Sequence, residues 1–581
     1  VHLHRGVNLL RGGWDLLEIG DDVTLNHSAA LQLVDLDDGR IVFAPVTLGN
    51  GSTLEVRAIA GGDTVLGENA VLSAMSWLPP GMRIGRGERW DGIPACPAGP
   101  APQPPPLPAC TTSLLPFAHG LRLGMARAAI VLLIALPAEL LAVGTCLALD
   151  ISAADFGRWL ARPASGWMPW AIGLGLAALA VPATLLFEAV LMRALGRVPT
   201  GAIDRWGPDY IRVWLKAEIL EGAGRWLSGT LLWPAWLRAA GMQVGARCEI
   251  STIIDVVPEH VQIGAESFFA DGIYLGGPQI HHGVVTLAPT RLGRNTFLGN
   301  HVVIPAGQTL PDDVLLGVCT VAQPSMNRPS TGWFGVPPFE LPRREVVSVD
   351  RRLTHDPSAI RYASRLFWEW LRFALPLTPL VVLVAWVRVL SDPRVVSMPG
   401  FLILIVPLAS LAFVLSLCLL VLALKWLLLG RVRPGQHALW SCWCSRWDFL
   451  YVAWGQYAAP ALTRLEGTLL LSWYLRAMGV RLGRRVVLGA GFAQVVDPDM
   501  IEIGDDATVN AAYQAHTFED RVLKIDRVVV RRNATVGSDC VPLYGAEVGE
   551  GASVAPHSVI LKRERLAAGR RYAGAPTRTV G

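Results

Sequence analysis

Leu48 to Gly85 read LGNGSTLEVRAIAGGDTVLGENAVLSAMSWLPPGMRIG, with an aliphatic residue at every sixth place: Leu48, Leu54, Ala60, Leu66, Leu72, Leu78 and Ile84. A period of six matches neither an α-helix at about 3.6 nor a sheet at about 2.0, though strand-like alternation nests inside it. It suits short strands whose corners recur every six residues, each aliphatic anchor pointing into a narrow prism. Small residues follow several anchors (Gly49, Gly67, Gly85), where the backbone bends and neighbouring coils approach closely. The rhythm returns at Leu292, Leu298, Ile304, Leu310 and Leu316. It returns again at Val530, Val536, Pro542, Val548, Val554 and Ile560. The spacing predicts a left-handed parallel β-helix, the hexapeptide-repeat architecture, three times over.

Long apolar segments lie between these stretches. The chain has 581 residues, 52% hydrophobic and only 17% charged, with 21 Trp. Its mean hydropathy of +0.39 is too high for a purely soluble protein of this size. Four segments approach the roughly 20 apolar residues a bilayer requires: 128–149, 168–192, 373–387 with its flanks, and 399–424. The third is the shortest and is cut off by Arg388. The spans pair up, so all three β-helices are expected on one side of the membrane. That side carries Arg122, Arg127, Arg193, Arg197, Arg205, Arg361, Arg365, Arg372, Lys425, Arg431 and Arg433, against Arg158, Arg162, Arg388 and Arg394 on the other. The positive-inside rule then predicts a multi-pass plasma-membrane protein with four transmembrane helices and cytoplasmic β-helix domains. Glu188 stands inside a span near its cytoplasmic end, where it is either functional or reaches the interface.

A net charge of +4 gives no reason to expect nucleic acid as a partner. The nine Cys form no CxxC pair and no cluster with His at ligand spacing, so no metal is expected and the thiols read as reduced and incidental. No signal peptide is recognisable after Val1. The stretch 1–22 parallels 486–506 but lacks the Gly479-Val480-Arg481-Leu482-Gly483 lead-in, so the first β-helix is expected to be N-terminally truncated.

A larger repeat contains the smaller one. Gly196-Arg197-Val198 is echoed by Gly430-Arg431-Val432, and Trp236-Leu237-Arg238-Ala239-Ala240-Gly241 by Tyr474-Leu475-Arg476-Ala477-Met478-Gly479. Each β-helix opens on an Ile-Gly turn (Ile19-Gly20, Ile263-Gly264, Ile503-Gly504). Each closes on an aromatic-x-Gly-x-Pro motif: Trp90 to Pro94, Trp333 to Pro337, and Tyr572 to Pro576. The expected order is β-helix 1–95, Pro-rich linker 96–120, transmembrane pair 121–195 and amphipathic membrane-surface helices 196–241. A second β-helix 242–345, transmembrane pair 346–429, surface helices 430–479 and a third β-helix 480–581 follow.

The third β-helix has a loop that breaks its rhythm: Tyr513-Gln514-Ala515-His516-Thr517-Phe518-Glu519-Asp520. An imidazole titrating near neutrality suits the removal of a proton from an attacking amine or hydroxyl, which makes His516 a candidate general base. Glu519 or Asp520 is placed to hold its other ring nitrogen. Counting from the Ile-Gly turn, His516 matches Gly276 and Gln32 in the other copies. Their own loops carry His281-His282 and His27, which leaves His282, and less so His27, as further catalytic candidates. For His301 a structural role is expected.

The closing motif resembles the C-terminal signature of hexapeptide-repeat acyltransferases, whose end loop lies near the pantetheine of the acyl donor. That resemblance implies cofactor contacts at Gly574 and Pro576. Such enzymes work as trimers with clefts between prisms, so the three tethered copies are expected to pack as a pseudo-trimer within one chain. The alternation of span pairs with three such domains, together with Gln514 to Arg521, Thr296 to His301 and Trp333 to Pro342, resembles the membrane-bound C-terminal part of ε-poly-L-lysine synthetase-like single-module nonribosomal peptide synthetases. The resemblance covers essentially the whole chain. It implies formation of isopeptide bonds between amino acids, with phosphopantetheine on a carrier domain outside this chain as the acyl donor. It further implies upstream adenylation and carrier domains and an amino-acid or amine acceptor as partners, beside the lipid bilayer. Two other readings stay open at this point: a coenzyme A-dependent O- or N-acetyltransferase of surface polysaccharide or lipid, and a non-catalytic membrane scaffold.

Overall fold

The computed structural model describes residues 1–580 apart from 8, 10–11, 38, 110, 162–166, 343–348 and 512–513. Tyr513 and Arg162 of the sequence reading lie outside the described residues. The hexads become strands of two or three residues that pair in parallel one full coil apart. Leu48 stands beside Leu66 and Leu66 beside Ile84. Leu54 stands beside Leu72 and Leu72 beside Trp90, and Ala60 beside Leu78. Each step is three hexads, so every coil gives one strand to each of three sheets. The second stretch repeats this with Leu292 beside Leu310 and Leu298 beside Leu316. In the third, Val530 lies beside Val548, Val536 beside Val554 and Pro542 beside Ile560. The chain thus builds three stacks, each of three sheets that are parallel apart from a closing antiparallel strand.

The anchors are buried in all three stacks. Backbone amides are satisfied by the coil above, for example Gly49 N–H to Leu66 C=O at 2.8 Å. This meets the requirement that buried peptide groups be paired without any partner strand from elsewhere. Corner residues adopt positive φ even where they are not glycine, as at Asn69, Asn295 and Asn533, where Asn tolerates the left-handed region best.

Four helices are long and apolar enough to cross a membrane: Pro116–Ala148, Met168–Ala194, Ala359–Leu390 and Phe401–Leu428. The third is longer than its apolar core because an amphipathic segment, Ala359–Phe373, runs into Leu377–Leu390 after a short break. The helix Pro208–Leu227, expected on the membrane surface, is instead buried along much of its length, including Tyr210, Leu215, Ile219, Leu220 and Ala223. It is sandwiched between the first span pair and the second stack, and this explains its mixed rather than one-sided apolar pattern. The Pro-rich segment begins as a strand, Ala95–Pro100, folded back antiparallel on Glu88–Gly92.

Buried ion pairs tie a helix to the stack beside it in both complete units, the helix Pro208–Leu227 in one and the span Phe401–Leu428 in the other. Lys216 Nζ lies 2.5 Å from Glu259, whose carboxylate also accepts from Val198 N–H at 2.9 Å. In the other unit Lys425 Nζ lies 2.9 Å from Asp499, which accepts from Val432 N–H at 3.0 Å. Removing one partner leaves a buried charge unpaired. Lys216→Met is therefore expected to cost about 3–5 kcal/mol, and Lys216→Met with Glu259→Gln much less. Thermal midpoints in detergent measure this; equal losses for the single and double variants would contradict it.

Candidate functional site

The three stacks meet along a shared apolar seam. Val56, Met75 and Ile93 of the first pack with Tyr274, Val303 and Val336 of the second and Val541, Val559 and Ala575 of the third. The closing motifs come together there, with Val336 N–H donating to Ala575 C=O at 3.3 Å. Gly92, Gly335 and Gly574 hold φ between 103° and 114°, and a Cβ on Gly335 would sit 2.4 Å from the Ala575 oxygen. Glycine is required at these positions by conformation and by space.

Each stack also throws out a hairpin: Val34–Asp37 with Arg40–Phe43, Gln279–His281 with Val284–Leu287, and His516–Glu519 with Val522–Ile525. The hairpins reach round in a ring. Arg521 at the third tip donates to the carbonyls of Arg247 and Glu266 in the second stack. His282 at the second tip abuts Gly51 of the first stack, and Gly39 N–H at the first tip donates to Thr508 Oγ1 of the third. In the second and third units a strand from the segment after the spans, Gly201–Asp204 or Gly435–Ala438, pins the hairpin from its other edge.

Between the second and third stacks lies a cavity of about 590 Å³, within the size range of small-molecule sites. Its apolar wall holds Phe268 and Phe297, stacked 5.5 Å apart, with Phe518 5.2 Å from Phe268. Phe334, Phe339 and Leu341 extend it, so the closing motif that borders this cavity belongs to the second stack.

His516 opens the third hairpin and lines the cavity. Its Nδ1 lies 2.8 Å from Asp497 Oδ2, and the other oxygen of Asp497 accepts from Trp447 Nε1 at 2.8 Å. Asp497 is buried and sits at φ 52° before the turn Pro498–Met500. A non-glycine residue held in this region near a cavity marks a position fixed by its surroundings. The edge of Trp447 meets the imidazole at 5.0 Å and 83°. With Nδ1–H directed to Asp497, Nε2 is the nitrogen left to accept a proton, and the buried carboxylate stabilises the imidazolium that results.

Glu519, one of the residues proposed from sequence to hold the imidazole, is engaged elsewhere. It binds Lys524 and Lys562 and accepts from Tyr544 Oη at 3.1 Å. Burial alone would raise its pKa, but the two ammonium groups hold it down to about 2. On the second-stack side of the cavity, Asp271 accepts from the hydroxyls of Ser251 and Thr252. Among the described residues it forms no ion pair. Of the other cavity carboxylates, Glu249 and Glu369 pair with Arg365, and Asp448 with Arg372. Asp520, the other residue proposed from sequence to hold the imidazole, also lines the cavity, but Asp497 takes that place.

The other residues singled out from sequence lie away from this cavity. His282 is half-buried against the first stack, beside His281, which burial lowers to about 4. Gly574 and Pro576 are at the seam. His301 lies there too, half-buried next to Arg57 and His557, and desolvation lowers it to about 3. His27 lies in the junction of the first and second stacks. Strand pairing also shifts the alignment of the copies. Gly201 faces Leu287 as Gly435 faces Ile525, and His516 pairs with Ile525. The counterparts of His516 are therefore Pro278 and Val34, not Gly276 and Gln32. Asp497 escaped the sequence reading, yet a signal was present: VVDP at 495–498 places a carboxylate where DVVP at 255–258 has Val257.

Over 584 residues at 31% identity, 97% of this chain aligns with 43% of the delta-poly-L-ornithine synthetase of Acinetobacter baumannii (strain AB307-0294). The chain thus spans less than half the length of that relative. No protein-family profile and no solved structure matches it.

The depressed pKa of Glu519 has a consequence for stability. Its contribution is complete above the free carboxylate value near about 4.3 and is lost as pH falls toward about 2. Glu519→Gln is expected to lower the thermal midpoint at pH 7 and to approach wild type as the pH falls below about 4. A gap that stays constant with pH would contradict the assignment.

Proposed function

We propose that the chain is the condensing part of a membrane-bound nonribosomal peptide synthetase, forming amide (isopeptide) bonds in poly-amino-acid synthesis. The observation that carries this is the His516–Asp497 pair at the wall of an aromatic-lined cavity between two stacks. Similarity to a delta-poly-L-ornithine synthetase over nearly the whole chain supports it, as do the four spans. In this reading the stacks are left-handed β-helices arranged as a trimer within one chain, lying in the cytoplasm on the Arg-rich side of the bilayer.

The uncharged arm of a carrier-bound phosphopantetheine suits the wall of Phe268, Phe297, Phe334 and Phe339. When bound, it supplies an activated aminoacyl thioester. His516 Nε2 takes the proton from the acceptor amine as the nitrogen attacks the acyl carbon, and returns it to the departing thiolate, so that one C–N bond forms as one C–S bond breaks. Asp497 keeps the ring in the productive tautomer and balances its transient charge. Asp271, a cavity carboxylate that forms no ion pair among the described residues, holds the second ammonium of a diamino-acid acceptor. Two stacks closing on one cavity supply the orientation.

His516→Ala and Asp497→Asn are each expected to lower kcat by about 10²- to 10⁴-fold. Mass spectrometry of product made by the full-length synthetase with its loaded carrier measures this, and wild-type turnover by His516→Ala would overturn the assignment. Asp271→Asn is expected to raise KM for a diamino acceptor roughly tenfold, the worth of one charge-assisted hydrogen bond. A monoamine acceptor should be unaffected; an equal rise for both would remove Asp271 from substrate binding.

A further inference from the structure

The junction between the first and second stacks holds a second convergence of side chains. His4 lies one residue beyond the strand His2–Leu3 and His27 two residues beyond its neighbour Thr24–Leu25, so the two side chains come from adjacent coils, and their rings meet edge to face 5.8 Å apart. Asp255, just beyond the strand Ile253–Ile254 of the second stack, reaches across to both. Its Oδ2 lies 3.4 Å from His4 Nδ1 and 3.3 Å from His27 Nδ1, and all three donor atoms lie within 4.8 Å of one another. Each of the three atoms is buried, and none makes a hydrogen bond.

Two features of this cluster suit a cation better than a hydrogen-bonded dyad. Separations of 3.3–3.4 Å are long for N–H···O contacts. They equal the edge, about 3.3 Å, of a tetrahedron whose metal bonds are about 2.0–2.1 Å. The charge is also right. Arg5 binds the other oxygen of Asp255 and lies 3.4 Å from Glu221 Oε1, so with neutral imidazoles two carboxylates face one guanidinium. The cluster is one unit negative before any ion enters. Two imidazole nitrogens with one carboxylate oxygen favour zinc and its first-row neighbours over magnesium or calcium.

We propose that His4 Nδ1, His27 Nδ1 and Asp255 Oδ2 bind one zinc-class divalent cation, its fourth position open to water, which staples the first stack to the second. The site is separate from the His516 cavity, so it stands or falls independently of the condensing reaction.

The test uses the membrane protein purified in detergent without a polyhistidine tag, incubated with zinc, freed of unbound metal and analysed by mass spectrometry for elements. About one zinc per chain is expected in wild type, falling below about 0.1 in His27→Gln and in Asp255→Asn. Cobalt(II) in place of zinc should give the visible absorption of a tetrahedral centre, absent from both variants. Chelator should lower the thermal midpoint of wild type and leave that of His27→Gln unmoved. Asp255→Asn also strips Arg5 of its partner, so His27→Gln, which leaves Arg5 paired, decides if Asp255→Asn misfolds. Wild type that binds no zinc, or the same zinc content in His27→Gln, would overturn the proposal.

Discussion

Contact among the three stacks along the seam of Val56, Met75, Ile93, Tyr274, Val303, Val336, Val541 and Val559 is the constraint on which every cleft depends. A single stack satisfies its own backbone and buries its own anchors. What it cannot do alone is enclose a ligand. The cavity beside His516 has one wall from the second stack and one from the third, and exists because apolar burial at the seam holds those walls in register. The glycines of the three closing motifs make that approach sterically possible. Tethering all three stacks to one set of spans removes the entropy of assembling separate subunits.

Rigid support continues outward from the seam. Each hairpin rests on the next stack, and in the third the tip residue Arg521 is bound by two carbonyls of the second stack. His516, three residues before Glu519 closes its strand, is thereby fixed against the wall that faces it. Trp447, on the helix Cys442–Tyr457 below the stacks, bonds the same Asp497 that orients His516. A shift of that helix at the membrane would move the imidazole, so the geometry of the His516–Asp497 pair is coupled to the spans through one carboxylate.

The hexads were legible because burial of every sixth residue is a local property: each anchor needs only its own coil. The four spans were legible for a similar reason, although the third begins at Ala359, where Arg365, Glu369 and Arg372 disguise the amphipathic helix that leads into it. These charges are tolerated because they pair with Glu249, with one another and with Asp448 of distant segments, which no window of sequence displays. His516 stood out by interrupting a rhythm. Its partner did not, because Asp497 lies nineteen positions upstream on a different turn, while Glu519 was closer in sequence and chemically suited. Proximity along a hairpin strand misled here: residues three apart point to opposite faces, so Glu519 meets Lys524 and Lys562 instead.

The same sheet positions in the three stacks give the most informative comparison. Pairing sets His2 beside Thr24, Glu249 beside Phe268 and Val487 beside Thr508. Two residues after the first member of each pair the chain has His4, Ser251 or Gly489. Three residues after the second it has His27, Asp271 or Ala511. The hairpin that faces each pair offers Pro278 to the first stack, His516 to the second and Val34 to the third. The second stack thus presents a hydroxyl and a carboxylate to an imidazole. The first presents two imidazoles to a carboxylate, and the third presents no titratable side chain at these positions. Once copies share one chain, selection no longer acts on all clefts alike, as it must in a trimer of identical subunits. One cleft can keep acid–base chemistry, another can turn the same positions to holding the stacks together, and the third can lose both. The arrangement of histidines and carboxylates around the seam is the form such divergence takes.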